Sequence, residues 1–209
     1  MKKIILLLVM AVFTATVVSA QNNQLDKKTL KTISSDAKKQ AKKLTDEGWT
    51  LDGSGTLESA LYRHMVKKET NGLQEMSPIG QNAVSINQGN SVAMFNAARE
   101  YSQEAGYKFK GVMAQSGMNV QAEEDNAAAN ENTSQQFTQL IENEIQGELV
   151  KSFGIYRKLA NGKYEYQVFL LIDPKAAANA RKRVLNNMRQ NNQFTEETID
   201  AINKAFENN

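Results

Sequence analysis

The side chains whose types could support catalysis or metal binding are few and scattered. His64 is the only histidine, and a histidine acts as a general base or a ligand only beside suitable partners, which its spacing does not identify. The acidic run at residues 123–125 lacks the spacing and the glycine of an EF-hand calcium loop. Glu142, Glu144 and Glu148 flank the apolar stripe of a predicted helix, as ordinary surface acids do. The sequence therefore predicts no catalytic, cofactor-binding or metal-binding residue.

The most strongly patterned stretch is SFGIYRKLANGKYEYQVFLLID, which ends at Asp173. Its Asn-Gly pair is a strong signal for a two-residue type I′ turn, because both central residues of that turn need positive φ. With this turn, Tyr156 faces Gln167 and Lys158 faces Glu165 on one polar face of a hairpin. These four residues are the candidate contact surface for a partner, although aromatic residues in strands more often serve packing.

The same turn predicts an apolar second face of the hairpin, which should lie under helices. A shift of the register by one residue would move every side chain to the wrong face. The predicted buried pairs are Leu159/Tyr164, Arg157/Tyr166, Ile155/Val168 and Phe153/Leu170.

The first twenty residues predict an export signal rather than part of the fold. A basic start is followed by an apolar run and by Val18-Ser19-Ala20, so we expect cleavage after Ala20. The chain has 25 basic and 23 acidic residues, and cleavage would remove Lys2 and Lys3 and leave no net charge. A neutral, exported chain is a poor candidate for nucleic-acid binding. Since cysteine is absent, disulfides, thiolate sites and a lipid-modified N-terminal cysteine are excluded.

Hydrophobic periodicity predicts the elements that surround the hairpin. Residues 25–47 and 57–68 read as amphipathic helices, and the lysine-rich face of the first could contact anionic lipid or the cell wall, or be only a solvated face. A strand is expected at residues 83–87, then a long helix capped by Asn90 or Ser91. Residues 115–132 read as a loop, and further helices follow Thr133, Pro174 and Thr195.

These elements predict an α+β protein whose small three-stranded antiparallel sheet packs against helices. The sheet would combine the strand at residues 83–87 with the two strands of the hairpin, and two helices would cover one of its faces. The predicted organisation is a signal peptide at 1–20, an N-terminal helical extension at 21–76, an α+β core at 77–175 and C-terminal helices at 176–209.

Two stretches carry a family resemblance, SVAMFNAAREYSQEAGYKF and QQFTQLIENEIQGELVKSFGIYRKLANGKYEYQVFLLID. Their order of strand, long alanine-containing helix, second helix and hairpin resembles the twenty-kilodalton lipoprotein (LPP-twenty-like) family of bacterial cell-envelope proteins. The resemblance covers about residues 77–175. It implies an envelope location and a structural or accessory role, and it implies no catalytic residue.

Three functional hypotheses follow from these observations. The first is a non-enzymatic accessory protein of the periplasm or cell surface that binds an as yet unidentified envelope protein. The second is a binding module for a small envelope ligand, either a glycan or a peptide. The third is an enzyme whose catalytic groups meet only in the folded chain. No cofactor and, after signal cleavage, no transmembrane segment are expected.

Overall fold

The computed structural model describes residues 25–115, 126–191 and 196–207, and these form a mixed helical and antiparallel sheet structure. The predicted α+β class is confirmed. The predicted signal peptide lies outside the described residues. In chain order the elements are α1 (Lys27–Asp46), β1 (Thr50–Asp52), α2 (Leu57–Asn71), β2 (Gln74–Met76), β3 (Ile79–Ala83), α3 (Ile86–Gln115), α4 (Asn126–Ile145), β4 (Val150–Lys158), β5 (Tyr164–Ile172), α5 (Pro174–Gln190) and α6 (Glu196–Glu207).

The sheet has five strands in the described part of the chain, where the sequence predicted three. Its order is β1-β4-β5-β2, and β3 also pairs with β5. β1 and β2 come from the segment predicted to be a helical extension, and each has only three residues, too few for a visible alternation of apolar and polar side chains. The predicted strand at residues 83–87 is wrong, because the Ser85 side chain accepts from the backbone N–H of Gln88 and the α3 helix begins at Ile86.

Helices cover both faces of this sheet, so the protein has three layers. On one face, α3, α4 and α5 surround a core that includes Val168 and Leu170 of β5. On the other face, α1 and α2 pack against Phe153 and Ile155 of β4 and Phe169 of β5. The predicted N-terminal extension is therefore one of the layers that bury the sheet. No helix in the described ranges is long and apolar enough to cross a bilayer.

The turn of the hairpin differs from the prediction by one residue. Gly162 has a φ of 81°, whereas Asn161 does not have positive φ. The N–H of Gly162 donates to the carbonyl of Leu159, and the N–H of Leu159 donates to the carbonyl of Lys163. This is a type I turn followed by a left-handed glycine, a three-residue loop. The Asn161 side chain supports it by accepting from the N–H of Lys163 at 3.0 Å.

The longer loop moves one strand by one residue, so the predicted cross-strand pairs are wrong. Lys158 is paired with Tyr164, Arg157 with Glu165, Tyr156 with Tyr166 and Ile155 with Gln167. The structure thereby places Arg157 directly opposite Glu165, and their side chains form an ion pair with a 2.6 Å separation between Nε and Oε2. Side chains still alternate between the two faces along each strand. However, Ile155, which was predicted to lie on the same face of the sheet as Val168, lies on the opposite face.

This register predicts the outcome of a disulfide test in a chain with no native cysteine. We expect Arg157→Cys combined with Glu165→Cys to oxidise readily, because these residues are Cα partners on one face. Lys158→Cys with Glu165→Cys should stay reduced, because the two side chains point to opposite faces. Mass spectrometry after mild oxidation measures disulfide formation in both double variants. A disulfide in the second variant and none in the first would instead support the two-residue turn.

Candidate functional site

A cluster of polar side chains lies where β1, β4 and β5 meet the start of α3. The Tyr166 hydroxyl donates to Asp52 Oδ2 at 2.6 Å. Lys151 Nζ donates to the Tyr166 oxygen at 2.7 Å and to Asn90 Oδ1 at 2.8 Å. Nζ also lies 3.9 Å from Asp52 Oδ2. The Tyr166 hydroxyl thus joins β1 to the β4–β5 hairpin, and Lys151 extends the connection to α3.

Two irregularities of β4 build this cluster. The pairing between β4 and β5 shifts between Lys151 and Phe153, so that β4 has one extra residue, Ser152. The bulge turns Lys151 onto the same face as Tyr166. Gly154 then leaves room for the tyrosine, because a Cβ at this position would lie 1.9 Å from the Tyr166 hydroxyl oxygen. Glycine inside a strand often marks such a close approach, and this was the one sequence signal that could have located the cluster.

The electrostatics of the cluster keep the Tyr166 hydroxyl protonated. Burial raises the pKa of Tyr166 above its ordinary value. The Asp52 carboxylate, which accepts the hydrogen bond of the Tyr166 hydroxyl, raises it further. Burial lowers the pKa of Lys151, and the charge of Asp52 opposes this change. The tyrosine therefore keeps its proton at neutral pH and is a poor general base or nucleophile. Its role is to hold Lys151 and Asp52 in fixed positions.

An open groove of about 360 Å³ adjoins this cluster, between the β1–α2 connection and β4. Asp52 and Lys151 lie on its lining together with Arg63 of α2, Gly53 and Ser54. Two cationic groups and one carboxylate give this lining a net positive charge, since the other lining residues are uncharged. The groove can therefore accept a small polar ligand that carries an anionic group.

His64 is buried in the layer between α2 and the sheet. Its side chain is 1% exposed, and its ring meets the edges or faces of Phe153 and Phe169 at centroid distances of 5.6 and 5.7 Å. Nε2 lies 3.5 Å from Glu75 Oε2, and Lys68 Nζ lies 3.1 Å from the same oxygen. The histidine therefore serves the packing of α2 and the attachment of β2.

The carboxylate of Glu75 makes acid stability a test of this contact. Burial alone would raise the pKa of Glu75, but the contact with His64 and the charge of Lys68 outweigh burial and lower the pKa from 4.5 to about 2. A depressed folded pKa adds stability above pH 4.5 that is lost as the pH falls through about 2. Because the side chain is 28% exposed, screening should limit the contribution to about 2 kcal/mol.

We therefore expect Glu75→Gln to lower the free energy of unfolding at neutral pH and to lose less of it on acidification. Urea unfolding of both proteins between pH 7 and 2 measures the difference, which should shrink below pH 4.5. Glu69→Gln, at an exposed position of α2, is the matched control. A constant difference between Glu75→Gln and wild type across this range would contradict the assignment.

The predicted contact surface is divided between the two faces of the sheet. Tyr156 and Lys158 lie on the α3 side, where the Tyr156 ring packs edge-on to Tyr164 at 6.3 Å. Glu165 and Gln167 lie on the α1 side. Glu165 pairs with Arg157, and the Gln167 amide donates to the Ser77 carbonyl. The four side chains therefore do not form one surface.

The acidic residues singled out from the sequence make no site in the described structure. Glu144 of α4 and Glu148, just after that helix, both bind Arg183 of α5, at 2.8 and 2.9 Å. The acidic run at 123–125 lies outside the described residues. Within the described ranges no group of three His, Asp or Glu side chains is placed to hold a metal ion. α4 begins at Asn126, so the predicted loop at 115–132 is partly helical.

No protein-family model, no curated protein and no solved structure matches the chain.

Proposed function

We propose that the protein is an exported, non-enzymatic accessory protein of the cell envelope that works through contacts with another protein. Its location is the periplasm or the cell surface. The proposal is supported by the signal-like first twenty residues and by the resemblance of residues 77–175 to the LPP-twenty-like family.

The observation that carries the protein-contact role is an exposed ridge on α3, formed by Phe95, Arg99, Gln103 and Tyr107. These residues are four positions apart, so they follow one row of the helix surface. Phe95 is 51% exposed and Tyr107 is 77% exposed, about 18 Å apart along the axis. Aromatic residues and arginine are enriched at the energetic centres of protein interfaces. We name these four residues the α3 ridge.

Affinity capture tests this proposal. A tagged protein is crosslinked in intact cells and recovered separately from periplasm, membranes and medium. We expect one dominant envelope protein to be recovered with it. A variant with Phe95→Ser and Tyr107→Ser should lose that partner and keep its thermal midpoint, because both side chains are exposed. Recovery of the free monomer alone would contradict the proposal.

The groove beside Lys151 favours a second candidate function, the binding of a small envelope ligand. A peptide or glycan with an acidic group would match the net positive charge that Lys151 and Arg63 give the groove. Thermal-shift screening against acidic glycans and peptides tests this function. We expect a hit whose shift is lost in Arg63→Gln, a variant that leaves the Tyr166 hydrogen bonds in place. A hit that Arg63→Gln leaves unchanged would place the ligand elsewhere.

A further inference from the structure

We propose that the exposed face of α1 binds a bilayer surface rich in anionic phospholipid. The helix carries seven lysines and two aspartates within its 20 residues. All seven lysines are exposed. We name them the lysine face, and they are Lys27, Lys28, Lys31, Lys38, Lys39, Lys42 and Lys43.

The lysine face lies opposite the side of α1 that is buried. At 100° per residue the seven lysines occupy an arc of about 160°. The buried residues Ile33, Ala37, Ala41 and Leu44 occupy the arc on the other side of the helix. Ala37, Ala41 and Leu44 belong to the core cluster that includes Phe153 of the sheet. The fold therefore fixes the rotation of the helix and directs the lysines outward over about 24 Å of its length.

The positive charge of this face is not neutralised locally. Lys39 lies 4.0 Å from Asp36, and this is the only α1 lysine within that distance of a carboxylate among the described residues. The helix has a net charge of +5 from its seven lysines and two aspartates. Without the first twenty residues, which contain Lys2 and Lys3, the chain has no net charge, so the part outside α1 carries −5. Such an asymmetry orients the molecule, with α1 toward a negative surface and the remainder away from it.

The chemistry of the face favours a lipid surface over a nucleic acid or a single acidic protein. Its residues are lysine, serine, threonine and aspartate, without an aromatic side chain for base stacking. Lysines act as point charges without the bidentate geometry of arginine. A laterally mobile layer of anionic headgroups accommodates such charges spread over a broad helix face. The choice of lipid over nucleic acid also rests on the proposed export. The arrangement of the lysines on α1 is independent of that proposal.

This face has no large apolar residue to insert into the bilayer, so the attachment should be peripheral and reversible by salt. Each lysine near an anionic surface is expected to raise the partition coefficient roughly fivefold. Removing four of the seven should then weaken binding by at least about a hundredfold.

Sedimentation with vesicles tests the inference on the purified chain without the first twenty residues. The vesicles are phosphatidylcholine with or without phosphatidylglycerol. The test variant carries Lys31→Gln, Lys38→Gln, Lys39→Gln and Lys42→Gln. The control variant has the same loss of charge at exposed lysines elsewhere, through Lys67→Gln, Lys163→Gln, Lys175→Gln and Lys204→Gln.

We expect wild type and the control variant to sediment with phosphatidylglycerol vesicles and to be released by high salt, and the test variant to stay in solution. Equal losses in the two variants, binding to pure phosphatidylcholine, or stronger binding to duplex DNA than to the anionic vesicles would each overturn the inference. None of these outcomes depends on the α3 ridge, so this test and the capture of a protein partner can fail independently.

Discussion

Val168→Asp is expected to abolish most of the stability of the fold, at a cost of about 4 kcal/mol or more. Val168 is fully buried in the core between β5 and the helices α3, α4 and α5. Its side chain faces apolar neighbours such as Ala97 and Leu170, none of which can pair with a carboxylate. A carboxylate at this position must either lose its hydration or separate the sheet from the helices that cover it.

Val84→Asp is the matched control for this experiment, because it makes the same change at a side chain that is 73% exposed. We expect chemical denaturation of Val84→Asp to resemble that of wild type within about 0.5 kcal/mol. Val168→Asp should unfold at much lower denaturant or fail to fold. Equal stabilities for the two variants would show that β5 does not form the buried centre of the sheet.

Gly80→Ala is expected to destabilise the protein by about 2–3 kcal/mol, although it adds a single methyl group. A Cβ at Gly80 would lie 2.3 Å from the carbonyl oxygen of Gly89 and 3.0 Å from the amide nitrogen of Ala93. Both contacts are with the α3 backbone, which cannot rotate away as a side chain could. The strand would have to separate from the helix, and the Asn96 hydrogen bond to the carbonyl of Ile79 would be stretched with it.

Gly111→Ala, within α3, is expected to stabilise the protein, in contrast to Gly80→Ala. A Cβ at Gly111 meets no atom within 4 Å, and alanine is favoured over glycine within a helix by about 0.5–1 kcal/mol. We expect thermal unfolding to show a raised midpoint for Gly111→Ala and a lowered one for Gly80→Ala. A neutral Gly80→Ala would mean that β3 does not pack closely on α3.

The sequence located α1 and α2 closely because their periodicity extends over many residues. α1 and α2 lie at Lys27–Asp46 and Leu57–Asn71, close to the predicted 25–47 and 57–68. The hairpin strands were also located correctly, since the Asn-Gly pair does mark their turn. In each case the apolar spacing and the flanking turn residues indicate the same element, and tertiary contacts reinforce that local preference. In contrast, α3 begins at Ile86 rather than after Asn90 or Ser91, and α4 begins at Asn126 rather than after Thr133.

The register of the hairpin could not be decided from the same residues. A type I′ turn and a type I turn with a left-handed glycine both accept Asn161-Gly162, and they differ by one residue in the loop. The alternation along each strand suits either choice, because helices cover both faces of the sheet. Only contacts made in the folded chain distinguish the two turns. Examples are the ion pair of Arg157 with Glu165 and the position of the Arg157 guanidinium 4.6 Å from the centre of the Trp49 ring.

The polar cluster was also missed, because strand pairing over long sequence separations joins its members and only Gly154 marks it in the sequence. Asp52 and Tyr166 are 114 residues apart, and Asp52 belongs to a strand of three residues. Lys151 reaches Tyr166 only through the bulge in β4. Each residue alone resembles an ordinary surface or packing residue, and the folded chain brings them to one edge of the sheet.

Site-specific photo-crosslinking in intact cells tests whether the α3 ridge contacts an envelope protein. A photoreactive amino acid replaces Tyr107 on the α3 ridge, and a second version carries it at Lys175, an exposed position of α5. The proposed contact through the α3 ridge predicts a discrete adduct with one envelope protein from position 107 and none from position 175. No adduct from position 107, or the same set of adducts from both positions, would contradict it.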